Sequence, residues 1–347
     1  MKRSFLVIAA SLVAAVGLAQ RNSSKYEHSE KFGGYVIGRY QTGEDTQDKG
    51  FDIRMLRLYV NGSAFGQLSY QLQIEGSGFP GSATGIRLID AKVEWNKYKE
   101  LRIVAGQMHR PFSFENPVNP VEIGFGSNAQ VISKLVGMSD RVGEHSSGGR
   151  DLGIQLRGDL LPIQDYRLLS YQIGLFNGQG INKTEDPNAA EHANHNKDVI
   201  GGLIVNPLKD LHLGVFGWTG QYYNASMLTS YHRNRMAYGI DYEGDYMFRA
   251  EYISSEGEGP NLGDKADGWY VAAGMPVGEK LRLNAKWDVY RNEKSSASQT
   301  SMYCLTGDYW FCKNCHLQLN YYYTEKGAAV GGLNHFNTLD LQLYVRF

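Results

Sequence analysis

The residues most suggestive of chemistry are CKNCH at 312–316, whose spacing is that of covalent haem attachment through two thioethers with a histidine as axial ligand. Two features oppose that use. The segment reads as a strand–turn–strand joint in which His316 begins the polar phase of HLQLNYYYT, and no second axial ligand stands nearby. The blander readings are a disulfide between Cys312 and Cys315 across the Lys313-Asn314 turn, allowed in an oxidising compartment if the Cα atoms lie within about 7 Å, or a pair of free thiols. Cys304, up its own strand at about 3.3 Å per residue, is too far from Cys312 to bridge it and reads as a free thiol. His192 and His195 in AEHANHNK are two histidines of a polar loop, which are usually solvated. His145 beside Ser146 and Ser147 is adjacency without a triad, and no Gly-x-Ser-x-Gly surrounds them. No catalytic residue, metal ligand or cofactor is therefore expected.

What remains is a set of charges spaced two apart. In QLSYQLQIE, Gln67, Ser69, Gln71, Gln73 and Glu75 alternate with Leu68, Tyr70, Leu72 and Ile74. In LRLNAKWDV, Arg282, Asn284, Lys286 and Asp288 alternate with apolar residues, and the chain closes on NTLDLQLYVRF with the same dyad. A period of two marks strands with one apolar and one wet face. The pattern predicts about sixteen strands, near 34–42, 51–62, 67–76, 86–96, 100–108, 150–158, 166–177, 198–206, 211–222, 232–243, 246–255, 267–276, 280–292, 300–311, 315–324 and 337–347.

The connections sort by parity. Long polar stretches such as GEDTQDKG, GQGINKTEDPNAAEHANHNK and KGAAVGGLNH follow odd strands, and tight joints such as GSAFG, KYK, VGE and KN follow even ones. Outer-membrane barrels have this asymmetry between external loops and periplasmic turns, whereas a secreted two-sheet sandwich has no reason for it. The start of the chain agrees: Lys2 and Arg3, an apolar run from Phe5 to Val16 and a small-residue end at Ala19 read as a secretory signal over 1–19, cleaved after Ala19. No later apolar run approaches the roughly 20 residues of a spanning helix, so a membrane form must be a barrel. The 23 Tyr, 5 Trp, 14 Phe and 41 Gly against 9 Pro suit strands with aromatic girdles. A formal charge of -1 gives no reason to expect nucleic acid as a partner. The fold expected is thus all-β, a transmembrane antiparallel up-and-down barrel over 20–347 in the outer membrane of a Gram-negative cell.

FDIRMLRLYVNG (51–62), IRLIDAKVEW (86–95), GQMHRPFSFEN (106–116) and the terminal Phe347 together resemble the phosphate-selective porin O and P family. The resemblance implies a sixteen-stranded barrel, usually a homotrimer, whose third external loop folds into the lumen, and a terminal aromatic that barrel-assembly machinery reads. Here that loop spans 109–149, and a connection of that length inside a compact domain calls for a reason, such as constricting a pore. Asp90 and Arg57 match an acidic residue and an arginine of the family's strand motifs.

Charge at the narrow point decides what passes. The polar phase assigns Arg39, Arg57, Lys92, Arg102, Arg157, Arg235, Arg249, Arg282, Lys286 and Arg346 to the lumen, against Glu75, Asp90, Glu94, Asp151, Asp241, Glu251, Asp288 and Asp340. In the loop, Arg110, Lys134 and Arg141 face Glu115, Glu122, Asp140 and Glu144, so the loop is no basic ring. The expectation is passive diffusion of small hydrophilic solutes with weak anion preference, a phosphate or polyphosphate channel being the alternative. For most of these arginines, a wall charge paired with a neighbouring carboxylate is the simpler role.

Overall fold

The computed structural model describes residues 28–44, 50–76, 85–137, 148–182, 197–224, 229–257, 265–330 and 333–347; the expected leader lies outside them. In chain order the strands are β1 (His28–Gly43), β2 (Gly50–Ala64), β3 (Leu68–Gly76), β4 (Arg87–Trp95), β5 (Arg102–His109), β6 (Arg150–Ile163), β7 (Tyr166–Phe176), β8 (Asp198–Leu208) and β9 (Leu211–Thr219). They continue with β10 (Gln221–Asn224), β11 (Thr229–His232), β12 (Asn234–Glu243), β13 (Met247–Glu256), β14 (Lys265–Val277), β15 (Leu281–Arg291), β16 (Gln299–Cys312), β17 (Cys315–Val330) and β18 (Leu333–Arg346). One short helix, α1 (Gln130–Leu135), interrupts the connection from β5 to β6.

All but β10 and β11 form one closed antiparallel barrel of 16 strands. Closure is the answer to the alternation at the chain's end. In hydrocarbon an unpaired backbone group costs several kcal/mol, so a spanning sheet can have no edge. Accordingly β1 pairs with β18 from Tyr35↔Arg346 to Gly43↔Thr338. Beyond that ladder Gly34 N donates to Phe347 O at 2.9 Å, and Phe347 N donates to Gly34 O at 3.0 Å. On β18, Leu339 and Leu343 are exposed on the outer face, whereas Asp340 and Gln342 are buried within. The closed ladder rules out the two-layer sandwich.

Aromatic rings mark the edges of the apolar band, where an amphipathic ring meets both lipid and water. Toward the long-loop end, rings on adjacent strands lie side by side: Trp269 and Trp287 at 4.6 Å, Trp287 and Tyr303 at 5.7 Å, Tyr303 and Tyr323 at 6.2 Å. Toward the short-turn end stand Tyr309 and Phe311, 5.3 Å apart, with exposed Tyr246 and Phe347.

Each of the sixteen predicted strands has a counterpart in the barrel, with several boundaries shifted: β1 starts at His28 instead of 34 and β6 runs on to Ile163 instead of 158, and two further differences have a clear cause. The ninth ends at Thr219 instead of 222, because Gln221 turns into a separate hairpin in which β10 pairs with β11. KGAAVGGLNH, expected as a long loop, is mostly strand: β17 runs on to Val330, and β18 starts at Leu333. Alternation fades there, and the pairing of Val330 with Leu333 is what extends the hairpin.

A polar bore with an anchored loop

The connection from β5 to β6 enters the barrel, and side chains of the wall hold its backbone. At its start Arg110 bonds Asp151 at 2.8 Å, both side chains having no exposure. Asn116 Nδ2 donates to Arg110 O and Gly149 O, tying the two ends of the loop together. Glu251 on β13 then accepts from the Phe114 and Glu115 amides at 2.9 and 3.0 Å, and from Ser113 Oγ and Tyr270 Oη. Farther along, Asn284 donates to Gly124 O, Asn320 accepts from Gly126 N, and Lys286 donates to Ser127 O. Each donor or acceptor comes from the polar phase of its strand, so the loop lies across the interior.

The six residues of α1 are too few to be stable alone, and its ends are capped by the wall and by the loop itself. Glu115 accepts from Ala129 N at 2.7 Å, and Asp288 accepts from Gln130 N at 3.1 Å. At the other end Arg235 donates to Leu135 O at 2.7 Å. Val131, Ile132 and Leu135 are buried in a cluster with Phe112, Phe125, Trp218 and Ala237, an apolar core inside a barrel whose lumenal phase is otherwise polar. Trp218 receives three guanidinium groups, those of Arg110, Arg233 and Arg235, at 4.8, 4.5 and 4.9 Å from its ring centroid. Arg233 also bonds Asp198 at 2.8 Å and Gly178 O, joining a further connection to the same knot. The loop therefore packs on the wall from β8 to β17, and its segment around Val121 meets Tyr35, Ile37 and Tyr344 on β1 and β18.

The predicted site residues fall into groups. Arg110 and Glu115, expected at the constriction, are buried anchors, with 1 % and 2 % exposure. Lys134 is half-buried in the last turn of α1, and Arg141 lies outside the described residues. Arg235 and Lys286 hold the loop. Arg57 bonds Glu75 and Arg157 bonds Glu94, at 2.6 and 2.5 Å. Arg102 bonds Asp159 at 2.6 Å, Arg249 bonds Asp241 at 2.8 Å, and Arg346 bonds Glu122 at 2.7 Å. Arg39 bonds Asp52. Asp90 is taken by Arg150 at 3.0 Å. Lys92 and Arg282 stand apart: among the described residues neither has a carboxylate within ion-pair distance or a hydrogen bond.

Two cavities open toward the short turns on either side of Pro117–Glu122. One, of about 360 Å³, is lined by Lys31, Arg57, Asp90, Lys92 and Arg150 among others. The second, of about 540 Å³, includes Phe114, Val118, Asp241, Met247 and Arg282.

Sequence reasoning missed Arg54, which donates to Gln342 and Tyr344, and Arg87, which joins Arg57 on Glu75. It also missed Arg150 and the Trp218–Asp198–Arg233 knot. Arg150 begins a strand and Arg233 precedes one, where the period of two gives no phase; only the partner strands show what they face.

Cys312 and Cys315 are free and are cross-strand partners. A bulge after Trp310 turns Cys312 to the outer face shared with Cys315, while His316 points inward, stacked between Trp310 and Tyr344 at 4.1 and 4.2 Å. Thioether carbons and an axial imidazole would thus lie on opposite sides of the wall, which excludes the haem reading on geometry. The histidines at 145, 192 and 195 and the serines at 146 and 147 lie outside the described residues.

A closed sixteen-stranded cylinder with an apolar exterior, a charged interior and a loop held across it defines a class by its architecture, the membrane-spanning antiparallel β-barrel. Within that class, residues 31–151 match the family described as phosphate-selective porin O and P. No curated protein matches the sequence. The fold is that of several solved structures. An anion-selective porin from Comamonas acidovorans aligns with a TM-score of 0.68 at 15% identity, covering 92% of this chain and 100% of that one. The outer membrane channel DcaP of Acinetobacter baumannii aligns at 0.66 and 11% identity, covering 92% and 97%. The trimer form of OmpT from Vibrio cholerae aligns at 0.63 and 14% identity, covering 92% and 99%.

Proposed function

We propose that the chain is a passive diffusion porin for small hydrophilic solutes with weak anion preference, working as a homotrimer in the outer membrane. The observation that carries this reading is Lys92. It lines the cavity beside β1–β6 with no bonded carboxylate among the described residues, whereas the arginines around it are neutralised by Glu75, Asp90 and Glu94. A bare ammonium in a narrow aqueous passage favours anions, because its field is screened less there than in bulk water. The anion selectivity of the Comamonas porin and the trimer form of the Vibrio protein point the same way for this chain.

Phosphate or polyphosphate selectivity is the alternative that the family match favours. The pairing of Arg39, Arg57, Arg102, Arg157 and Arg249 with carboxylates weighs against it, since a ladder for phosphate needs guanidinium groups whose donors are free. Single-channel recording in a salt gradient decides between them. Wild type should give a reversal potential of anion-preferring sign, and Lys92→Glu should move it to the cation side. Replacing chloride by phosphate should lower the current; a current sustained by micromolar phosphate would instead support the alternative.

A further inference from the structure

The cavity on the far side of the loop is built differently from the passage beside β1–β6. Its roof is Phe114, whose amide is held by Glu251 and whose ring meets Phe216 edge-on at 5.2 Å. Asn284 fixes the neighbouring Gly124 carbonyl at 2.8 Å. The chamber is thus lined on one side by an anchored part of the loop and on the other by Asp241, Glu243 and Gly244 at the β12–β13 turn, the periplasmic end in the porin reading. Phe114, Pro117, Val118 and Met247 give it an apolar side.

Its carboxylates have partners. Arg249 takes Asp241 at 2.8 Å and Glu243 at 2.6 Å, and Arg346 takes Glu122 at 2.7 Å. Among the described residues Arg282 has no carboxylate within ion-pair distance: its Nε is buried with no hydrogen bond, and no ion pair joins it to Asp308, its cross-strand neighbour. A guanidinium that stands beside an apolar wall and has no bonded carboxylate among the described residues, in a space of about 540 Å³, matches a small organic anion with a carboxylate at one end and an apolar body at the other.

We propose that this chamber is a binding site for small aromatic or branched monocarboxylates entering from the periplasmic side, with the carboxylate on Arg282 and the apolar body against Phe114, Val118 and Met247. It is a side pocket of the bore, so an occupant narrows the vestibule and interrupts ion flow. The proposal rests on the porin reading.

The test is single-channel recording in potassium chloride with benzoate added to one side at a time, acetate serving as the control that carries the charge without the ring. Benzoate on the periplasmic side should produce resolved current interruptions, and acetate at the same concentration should not. Arg282→Gln should weaken the benzoate block about tenfold or more, the loss expected for hydrogen bonds to a charged group, and Arg282→Lys should restore part of it. Heat-modifiable migration on a denaturing gel checks that both variants are folded. Equal effects of benzoate and acetate, or an unchanged block in Arg282→Gln, would overturn the site. If wild type conducts but benzoate leaves its current untouched, this inference alone fails; if wild type forms no channel, the porin reading fails with it.

Discussion

Arg110 and Asp151 show how much of the interior charge serves structure. Both side chains are fully buried, and the pair fastens the first residue of the loop to the wall. Breaking such a pair leaves a charge unpaired, whereas removing both charges together is far less damaging. Arg110→Met should therefore cost about 3–5 kcal/mol, read as a lower unfolding temperature of the detergent-solubilised barrel, and Arg110→Met with Asp151→Leu should recover much of it. The cysteines respond to position in the same way. After reduction, Cys312 and Cys315 on the outer rim should take a water-soluble maleimide in the folded protein, and Cys304, buried against Thr306, should not. We propose that a periplasmic disulfide oxidant, taking two electrons and two protons from the pair, bridges the first two in the cell, although both are free in this structure; labelling of both without prior reduction would sink that bridge.

At the scale of elements, β5 depends on one glycine. Gly106 has φ of +120°, and a Cβ there would stand 2.1 Å from the Ala91 carbonyl oxygen of β4. The adjacent Gln107 uses that close approach to donate to Leu88 O and Ile89 O and to accept from Asn182 N. Gly106→Ala combines a disfavoured backbone conformation with a backbone clash, and should cost about 1–3 kcal/mol, measured by denaturant unfolding in detergent. The loop obeys a related logic. Its path is fixed both by wall side chains that bond its backbone, those of Glu251, Asn284, Asn320 and Asp288, and by its own buried side chains, Arg110 on Asp151 and Asn116 across the two loop ends.

For the whole molecule the decisive event is closure. Only β1 and β18 join the two ends of the chain, and Phe347 completes that seam through its two bonds to Gly34. Deleting Phe347 removes the last rung of the β1–β18 seam, together with one of the features that carry the family resemblance. The expected result is a smaller fraction of heat-modifiable, folded barrel, with any molecules that do fold conducting as wild type.

The strands and their two faces were legible in the sequence because a side chain's face depends only on its position along its own strand, and lipid outside with water inside imposes opposite chemistry on neighbours. Leu339 and Leu343 against Asp340 and Gln342 is enough to orient β18. The parity of the connections likewise needed only chain order. What the sequence left open was which inward charges are spent. Arg57 and Lys92 share a phase, but Arg57 meets Glu75 from the next strand and Lys92 meets no carboxylate within ion-pair distance. Arg110 and Glu115 look like rim charges until the wall closes over them. A charge's role depends on partners brought near by register and loop path, which arise only when the cylinder closes and the loop folds across it.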